Sequence, residues 1–236
     1  MSYKRVGLLA LLAATLLAFA EPAAAQSVAD STTEAAIWNL NIQLLAVAIP
    51  ITVLVEGILI YTVWKFRKNE SPLPTQENRR LEITWTIATA IILLFVGVAS
   101  YQVLANPYVT ASSQQQIDTN QDPVEVKVYA QKYSWEFEYV GENVTSTNTL
   151  VVPEDRVVKF NITSRDWLHS FHVPGLGLKQ DAFPGKWNEI QTRPTNTGTY
   201  QLYCAEYCGV GHSGMLGTVE VKSQDAYQNW LDEQQG

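Results

Sequence analysis

The side chains with soft metal-ligand atoms are concentrated in two short segments of the chain. Cys204 and Cys208 lie in one loop that also holds His212 and Met215, and His169 lies 35 positions before Cys204. Thiolates, imidazoles and a thioether together favour copper over harder metals. Two thiolates in one loop suggest two copper ions bridged by two sulfur atoms. Such a pair would share an electron with little change of geometry.

Three other interpretations of these residues stay open from the sequence. A disulfide is the usual state of two cysteines in an exported domain, although a bridge across three residues would restrict the unfolded chain little. A Cys2His2 zinc site has suitable ligand types, but structural zinc sites more often use closely spaced pairs. Met215 alone would fit a hydrophobic core. The only other methionine is Met1, however, and neither the disulfide nor zinc would use Met215.

The apolar segments of the first 104 residues predict how the chain reaches and crosses a membrane. Residues 1–25 begin with a basic pair, continue as an apolar run and end in small residues, which predicts a secretory signal peptide. Residues 44–64 and 83–104 are each long enough to cross a hydrocarbon core about 30 Å thick. We therefore expect residues 26–104 to form a transmembrane helical hairpin. Its basic connecting loop should stay in the cytoplasm, with both mature termini outside.

The rest of the chain has a different pattern. Residues 105–122 are rich in serine and glutamine and predict a linker. Residues 123–222 contain short runs of period two separated by Gly, Pro and Asn, which predicts an antiparallel β-sandwich or barrel. Residues 223–236 predict a C-terminal helix capped by Ser223. The expected fold is a membrane-anchored, all-β domain.

The charge of the chain narrows the class of partner. There are 16 Lys and Arg against 23 Asp and Glu, a formal net charge of −7. No overall positive field is available for phosphate backbones, so we expect no nucleic-acid partner. The acidic excess lies after residue 105, in the segment predicted to be exported. This distribution is compatible with an ordinary solvated surface or with capture of a basic soluble protein.

The metal-ligand pattern resembles a known family. The string Cys204-x-Glu206-x-Cys208-Gly209-x-x-His212-x-x-Met215, with His169 upstream, is similar to the dinuclear copper A site of cytochrome c oxidase subunit II. The segments 81–86 and 176–186 also resemble that family. The resemblance covers nearly the whole mature chain. It implies a cupredoxin-like sandwich anchored by the hairpin, in a haem–copper terminal oxidase.

The resemblance also implies roles for particular residues. It implies that Cys204 and Cys208 bridge the two coppers. It further implies that His169 and Met215 complete the ligands of one copper. His212 and the main-chain carbonyl of Glu206 would complete those of the other. In the family, the side chain of the same glutamate reaches a magnesium or manganese ion at the interface with subunit I.

The implied function is electron transfer. In the family, subunit II accepts electrons from a soluble extracytoplasmic carrier such as cytochrome c. It passes them to haem in subunit I, where dioxygen is reduced to water and protons are translocated. Subunits I and III and the cell membrane are therefore implied partners. No Cys-x-x-Cys-His occurs in the 236 residues, so we expect haem only in the partner subunit.

Further roles are implied for residues away from the ligand set. Glu82 stands three residues before Trp85, where the family has the mouth of a proton path. The family's electron-accepting strand has two tryptophans, which correspond here to Tyr133 and Trp135. Tyrosine at the first position is a departure that leaves the identity of the electron donor open.

Three other classes of protein share parts of this pattern. A quinol oxidase subunit II should lack the copper ligands. A copper chaperone with Cys-x-x-x-Cys predicts a thioredoxin-like βαβ order and a single anchor. Nitrous oxide reductase carries a similar copper domain but needs a large second domain and no hairpin. The complete ligand set together with two predicted spans favours subunit II.

Overall fold

The computed structural model describes residues 29–110 and 122–236. The predicted signal peptide, residues 1–25, and most of the predicted linker, residues 105–122, lie outside these ranges. Within residues 29–110 the chain forms helices α1, Thr32–Phe66, and α2, Arg79–Leu104, both long and apolar enough to cross a membrane. At about 1.5 Å per residue, α1 is roughly 52 Å long and extends well beyond the predicted span 44–64. Its first turns therefore lie outside the apolar span.

Residues 122–236 form a β-sandwich of two five-stranded sheets. The sheet orders are β3-β2-β1-β5-β8 and β4-β10-β9-β6-β7. The strands are β1 Val124–Gln131, β2 Ser134–Tyr139, β3 Val144–Thr147, β4 Thr149–Pro153, β5 Val158–Ser164, β6 His169–Val173, β7 Leu178–Ala182, β8 Asn188–Thr192, β9 Gly198–Cys204 and β10 Leu216–Lys222. The predicted membrane-anchored, all-β fold class is confirmed.

The strand directions correct one part of the prediction. The sandwich is not purely antiparallel, because β1 pairs with β5 and β4 pairs with β10 in parallel. Parallel neighbours need a long crossover, and here the intervening strands supply it. Period-two alternation reports which face of a strand is buried and carries no information about the direction of its neighbour. The sequence pattern therefore could not predict the parallel pairs.

The core of the sandwich is built from the alternating residues. β1 alternates between buried and half-buried residues along its whole length. Trp135 and Phe137 on β2 are fully buried. The C-terminal helix α3, Gln224–Gln235, buries Tyr227 and Leu231. These contacts close one end of the core and attach α3 to the sandwich.

The first turn of α1 docks on the sandwich. The Ser31 hydroxyl donates to the Leu176 carbonyl over 2.7 Å, and Thr33 Oγ1 lies 2.8 Å from Thr192 Oγ1. Thr33 Oγ1 also donates to the Tyr108 carbonyl over 3.0 Å, just after α2 ends. These bonds hold both ends of the hairpin against the same end of the sandwich. Leu176 lies three residues after β6 ends at Val173, whereas His169 begins that strand, so the docking contact and His169 are at opposite ends of β6.

Replacing Gly177 by alanine is expected to disturb this docking contact. Gly177 has φ +65°, and a Cβ there would lie 2.8 Å from the Glu34 backbone nitrogen. We expect a loss of about 1–3 kcal/mol in the free energy of unfolding from the strained backbone, plus the cost of this collision. Thermal unfolding of the full chain in detergent would measure the total.

Gly141→Ala is the matched control for Gly177→Ala. Gly141 also has a left-handed φ, +87°, but a Cβ there meets no atom within 4 Å. It should therefore show the backbone strain alone and a smaller loss. Equal losses for the two variants would contradict a tight contact between α1 and the sandwich.

Candidate metal centre

Strand pairing brings the predicted metal ligands together. His169 begins β6 and Cys204 ends β9, and these strands pair with Phe171 opposite Cys204. Cys208 and His212 lie in the loop between β9 and β10. The Cys204 backbone nitrogen donates to the Met215 carbonyl over 3.1 Å, which closes the base of this loop. The two separate sequence segments thus meet at one end of one sheet.

The ligand atoms form a compact cluster around the two sulfur atoms. The Sγ atoms of Cys204 and Cys208 are 3.9 Å apart, and both cysteines are free thiols. A disulfide would need about 2.05 Å. The cluster is completed by His169 Nδ1 at 3.7 Å from Cys204 Sγ, the Glu206 carbonyl oxygen at 3.2 Å from Cys204 Sγ, His212 Nδ1 at 3.7 Å from Cys208 Sγ and Met215 Sδ at 3.9 Å from Cys208 Sγ.

This cluster lies in a dry environment. His169 and Met215 are fully buried, the two cysteines are nearly so, and His212 is half-buried. Ligand atoms of His169, Cys204 and Cys208 all lie within 4.8 Å of one another and could hold a metal ion. All of these side-chain donors are soft or intermediate in character, which fits copper.

Burial and mutual repulsion separate the acidities of the two thiols. Burial alone would raise the pKa of Cys204, but contacts with the His169 imidazole and the Glu206 and Ser170 backbone lower it to about 6. Burial and the charge of Cys204 raise the pKa of Cys208 to about 11. Two thiolates at this distance repel each other. A cation bound between them would stabilise both.

Asp166 is a functional candidate that the sequence analysis missed. Its Oδ1 accepts a hydrogen bond from His169 Nε2 over 2.8 Å, while His169 Nδ1 faces Cys204. Its Oδ2 accepts from the Lys132 backbone nitrogen over 2.8 Å. Desolvation opposes ionisation of Asp166, but the bond from His169 and the backbone bonds outweigh it and lower the pKa of the carboxyl. The one sequence signal for Asp166 was its position, three residues before the candidate ligand His169.

The other predicted residues are dispersed. Tyr133 is half-buried and its ring lies on Gly211 of the metal loop, where a Cβ would be 2.6 Å from Tyr133 Cε2. Trp135 is fully buried, with its ring centroid 6.5 Å from that of His169, so a soluble carrier cannot touch it. Glu82 is exposed in the first turn of α2, about 33 Å of helix from Leu104. His172, a histidine that the ligand motif does not include, lies outside the cluster, with Nδ1 2.9 Å from the Leu178 carbonyl.

The fold and the donor set define a class: a β-sandwich protein with a hairpin of apolar helices and a buried site of sulfur and imidazole ligands. Comparison with known proteins is consistent with that class. Residues 21–103 match the family Cytochrome C oxidase subunit II, transmembrane domain. Residues 140–222 match Cytochrome C oxidase subunit II, periplasmic domain.

Two relatives agree with these matches, and one solved structure is reported beside them. Heme-copper oxidase subunit 2 of Aeropyrum pernix is 31% identical, over 84% of this chain and 89% of its own length. Probable cytochrome c oxidase subunit 2 of Rickettsia bellii is 31% identical, over 80% of this chain and 75% of its own length. The solved periplasmic domain of subunit II of cytochrome oxidase of Bradyrhizobium japonicum has a TM-score of 0.46 and 24% identity, covering 48% of this chain and 93% of that domain.

The chain belongs to the cytochrome c oxidase subunit II family, as the sequence motif predicted. It is a membrane protein, and its relatives are subunits of an oxidoreductase complex.

Proposed function

We propose that this chain binds a dinuclear copper A centre and uses it to receive electrons for a terminal oxidase. The observation that carries the proposal is the pair of sulfur atoms 3.9 Å apart, flanked by two imidazole nitrogens, a thioether and a carbonyl. The proposed ligands are His169, Cys204, Glu206 through its carbonyl, Cys208, His212 and Met215. When bound, the copper pair supplies a one-electron redox couple with the electron shared between two metals.

The surrounding residues prepare the site for this role. Asp166 holds the far nitrogen of His169, which fixes the ring with Nδ1 toward Cys204. Trp135 packs edge-on against both His169 and Phe171 and closes the inner side of the site. A site whose donors are held in place undergoes little rearrangement when its charge changes. Little rearrangement favours rapid electron transfer.

The proposed partners are those that family membership suggests. We propose that the chain receives electrons from a soluble extracytoplasmic carrier, with cytochrome c as one candidate, and delivers them to haem in subunit I. The complex then reduces dioxygen to water with proton translocation, and subunit III is a further neighbour. The haem belongs to the partner subunit. The observation in favour of these partners is that one chain carries both two membrane-spanning helices and a metal loop with solvent-exposed residues.

The proposed orientation places the sandwich and both mature termini outside the cell membrane. The short loop between α1 and α2 carries lysines and arginines, which retain it in the cytoplasm. The contacts of Ser31 and Thr33 with the sandwich support the same arrangement, because they hold the start of α1 beside the end of α2.

Two acidic side chains have proposed roles at subunit interfaces. Glu206 is half-buried in the metal loop, and its carboxylate is available for a magnesium or manganese ion shared with subunit I. Glu82 lies at the cytoplasmic end of α2 in the proposed orientation. Its exposure in the isolated chain is compatible with the mouth of a proton path into subunit I.

Copper analysis and electron paramagnetic resonance would test the proposed centre. The full chain is purified in detergent and loaded with copper. We expect two coppers per chain and a seven-line hyperfine pattern, because two equivalent copper nuclei share one unpaired electron. One copper with a four-line pattern, or a preference for zinc, would overturn the dinuclear site and favour a delivery or structural role.

Replacing Asp166 by asparagine is expected to weaken copper binding. The substitution keeps the size of the side chain but removes the charge that faces His169 Nε2. Loss of such an outer partner costs about 10- to 100-fold in metal affinity. Competition with a copper chelator, followed by the visible absorption of the copper–thiolate bonds, would measure the change.

Asp181→Asn provides the matched control for Asp166→Asn. Asp181 is also a carboxylate near this end of the sandwich, but its ion-pair partner Lys179 is 3.9 Å away and both are exposed. Its removal should leave copper affinity unchanged. If both variants bind copper as tightly as the original chain, Asp166 has no role in holding His169.

A further inference from the structure

One charged side chain lies inside the predicted spans of the hairpin. Glu56 is the only Asp, Glu, Lys or Arg in residues 44–64 and 83–104. It stands nine residues before Lys65 in α1, which corresponds to about 14 Å of helix. In a hydrocarbon core about 30 Å thick, this depth places Glu56 near the middle of the bilayer.

Glu56 points away from α2. Within residues 42–64 of α1, only Leu44 and Val47 are half-buried, and they lie where α1 contacts α2. Glu56 follows Val47 by nine residues, and nine steps of about 100° place it on the opposite side of the helix. Its side chain is exposed in the isolated chain. Glu56 therefore faces outward from the hairpin.

The residues beside Glu56 on its face of α1 are apolar or already bonded. Ile49 and Ile60 lie on the same face and are exposed. The hydroxyl of Thr52, one turn before Glu56, donates to the Ala48 carbonyl of the same helix over 2.9 Å. The helix itself therefore supplies no free donor next to the carboxylate.

The nearest basic residue in α1 is engaged elsewhere. Lys65 Nζ lies 5.4 Å from the centroid of the Tyr61 ring and 5.2 Å from that of the Phe66 ring, at the end of α1. None of the ion pairs within residues 29–110 and 122–236 includes Glu56. A basic partner for this carboxylate would therefore come from another chain.

The charge of Glu56 indicates which kind of partner fits. An acidic side chain at this depth is costly to place in lipid, and such residues almost always face protein and pair with another group. A hydroxyl or amide would donate a hydrogen bond but leave the negative charge uncompensated. A basic side chain cancels the charge and donates to the carboxylate as well. The apolar residues around Glu56 therefore favour a basic partner.

We propose that Glu56 is the contact point on α1 for a transmembrane helix of another subunit, and that a basic side chain of that helix pairs with it. The partner helix lies on the side of α1 that faces away from α2. A helix without the basic side chain would leave the carboxylate unpaired in lipid, so the contact is selective. The proposal rests on the proposed membership of a multi-subunit oxidase and not on the copper centre.

Association of the subunits in detergent would test this pair. The full chain is co-expressed with subunits I and III, and its dissociation is followed as the purified complex is diluted. Glu56→Gln keeps the size of the side chain but leaves the basic group of the partner buried and unpaired. We expect dissociation at concentrations about 100-fold higher or more. Failed insertion would not explain this loss, because removing a charge makes insertion into the bilayer easier.

Two variants serve as matched controls. Thr52→Val removes a polar group from the same face, but its hydroxyl bonds within α1. Glu77→Gln removes a charge from the exposed loop between α1 and α2. Both should leave the association unchanged. Copper content reports on the metal site separately and should be the same in Glu56→Gln as in the original chain.

Photo-crosslinking would identify the partner helix. A benzophenone amino acid replaces Ile60, which lies one turn after Glu56 on the same face and is 64% exposed. The captured peptide should come from a membrane-spanning segment that contains Lys, Arg or His. Exchanging the charges, with Glu56→Lys in this chain and an acid in place of that basic residue, should restore much of the association lost in Glu56→Gln.

Three results would overturn the proposal. One is an unchanged association in Glu56→Gln. Another is capture of lipid alone, or of a helix without a basic residue. The third is a loss in Glu56→Leu that Glu56→Gln does not show, which would indicate a neutral hydrogen-bond donor instead. If the original chain itself does not associate with subunits I and III, the proposed membership of the oxidase fails together with this proposal.

Discussion

Replacing Cys208 by serine is expected to abolish the dinuclear centre. Cys208 Sγ lies within 4 Å of Cys204 Sγ, His212 Nδ1 and Met215 Sδ, so it contacts three of the other proposed ligands, as many as Cys204 does. A serine oxygen is a harder ligand and a poor bridge between copper ions. We expect copper to fall from two ions to one or fewer per chain, with loss of the shared-electron signal.

The same substitution should stop oxygen uptake driven by the soluble carrier. Loss of a bridging ligand should exceed the roughly 10- to 100-fold effect of losing an outer partner. An oxygen electrode and copper analysis on the purified complex would measure both effects. His172→Gln is the control, because His172 bonds to the Leu178 carbonyl outside the cluster. Two coppers with the shared signal intact in Cys208→Ser would contradict the ligand assignment.

Replacing Trp135 by alanine is expected to produce the largest loss of stability. Trp135 is fully buried, and its ring centroid lies 5.7 Å from that of Phe171 and 6.5 Å from that of His169. Removing a buried tryptophan costs about 3–5 kcal/mol in the free energy of unfolding. The cavity would also leave His169 without its inner wall. Guanidinium unfolding of the full chain in detergent, followed by circular dichroism of the sheets, would measure the loss.

The variant Trp135→Phe separates the contribution of ring packing to stability from that of the indole N–H. Within the described residues, Trp135 Nε1 is buried without a hydrogen-bond partner. Phenylalanine keeps much of the packing and removes this unsatisfied donor, whose burial costs about 1–3 kcal/mol. We therefore expect Trp135→Phe to lose much less stability than Trp135→Ala. Equal losses in the two variants would contradict the conclusion that packing of the ring carries most of the stability.

The chemistry of the candidate site could be predicted from the sequence because it depends on residue types and spacing. Cys204, Cys208, His212 and Met215 lie within one loop, and any fold that closes this loop brings them together. His169 was a candidate from its residue type, and the resemblance to the family assigned it a ligand role. The spans were predictable because the length of an apolar run is a one-dimensional property.

The sequence prediction of the sandwich was correct in class and incomplete in detail. Six strands were identifiable from period-two runs, but β3, β6, β7 and β8 were not. β6, His169–Val173, is buried at nearly every position, so it shows no alternation. The parallel pairing of β1 with β5 is a property of chain topology. Neither feature leaves a local signal in the sequence.

Other parts of the site were decided by tertiary structure alone. Asp166 became relevant because its oxygen meets His169 Nε2, and Trp135 proved to be an inner wall because the second sheet covers it. The sequence gives the net charge of −7, while the fold determines which acids surround the metal loop. The candidate ligands, the apolar spans and the total charge depend only on residue types and their order along the chain. They therefore follow from the sequence. Burial, partners and local charge depend on which distant segments meet in space, and only the folded chain determines that.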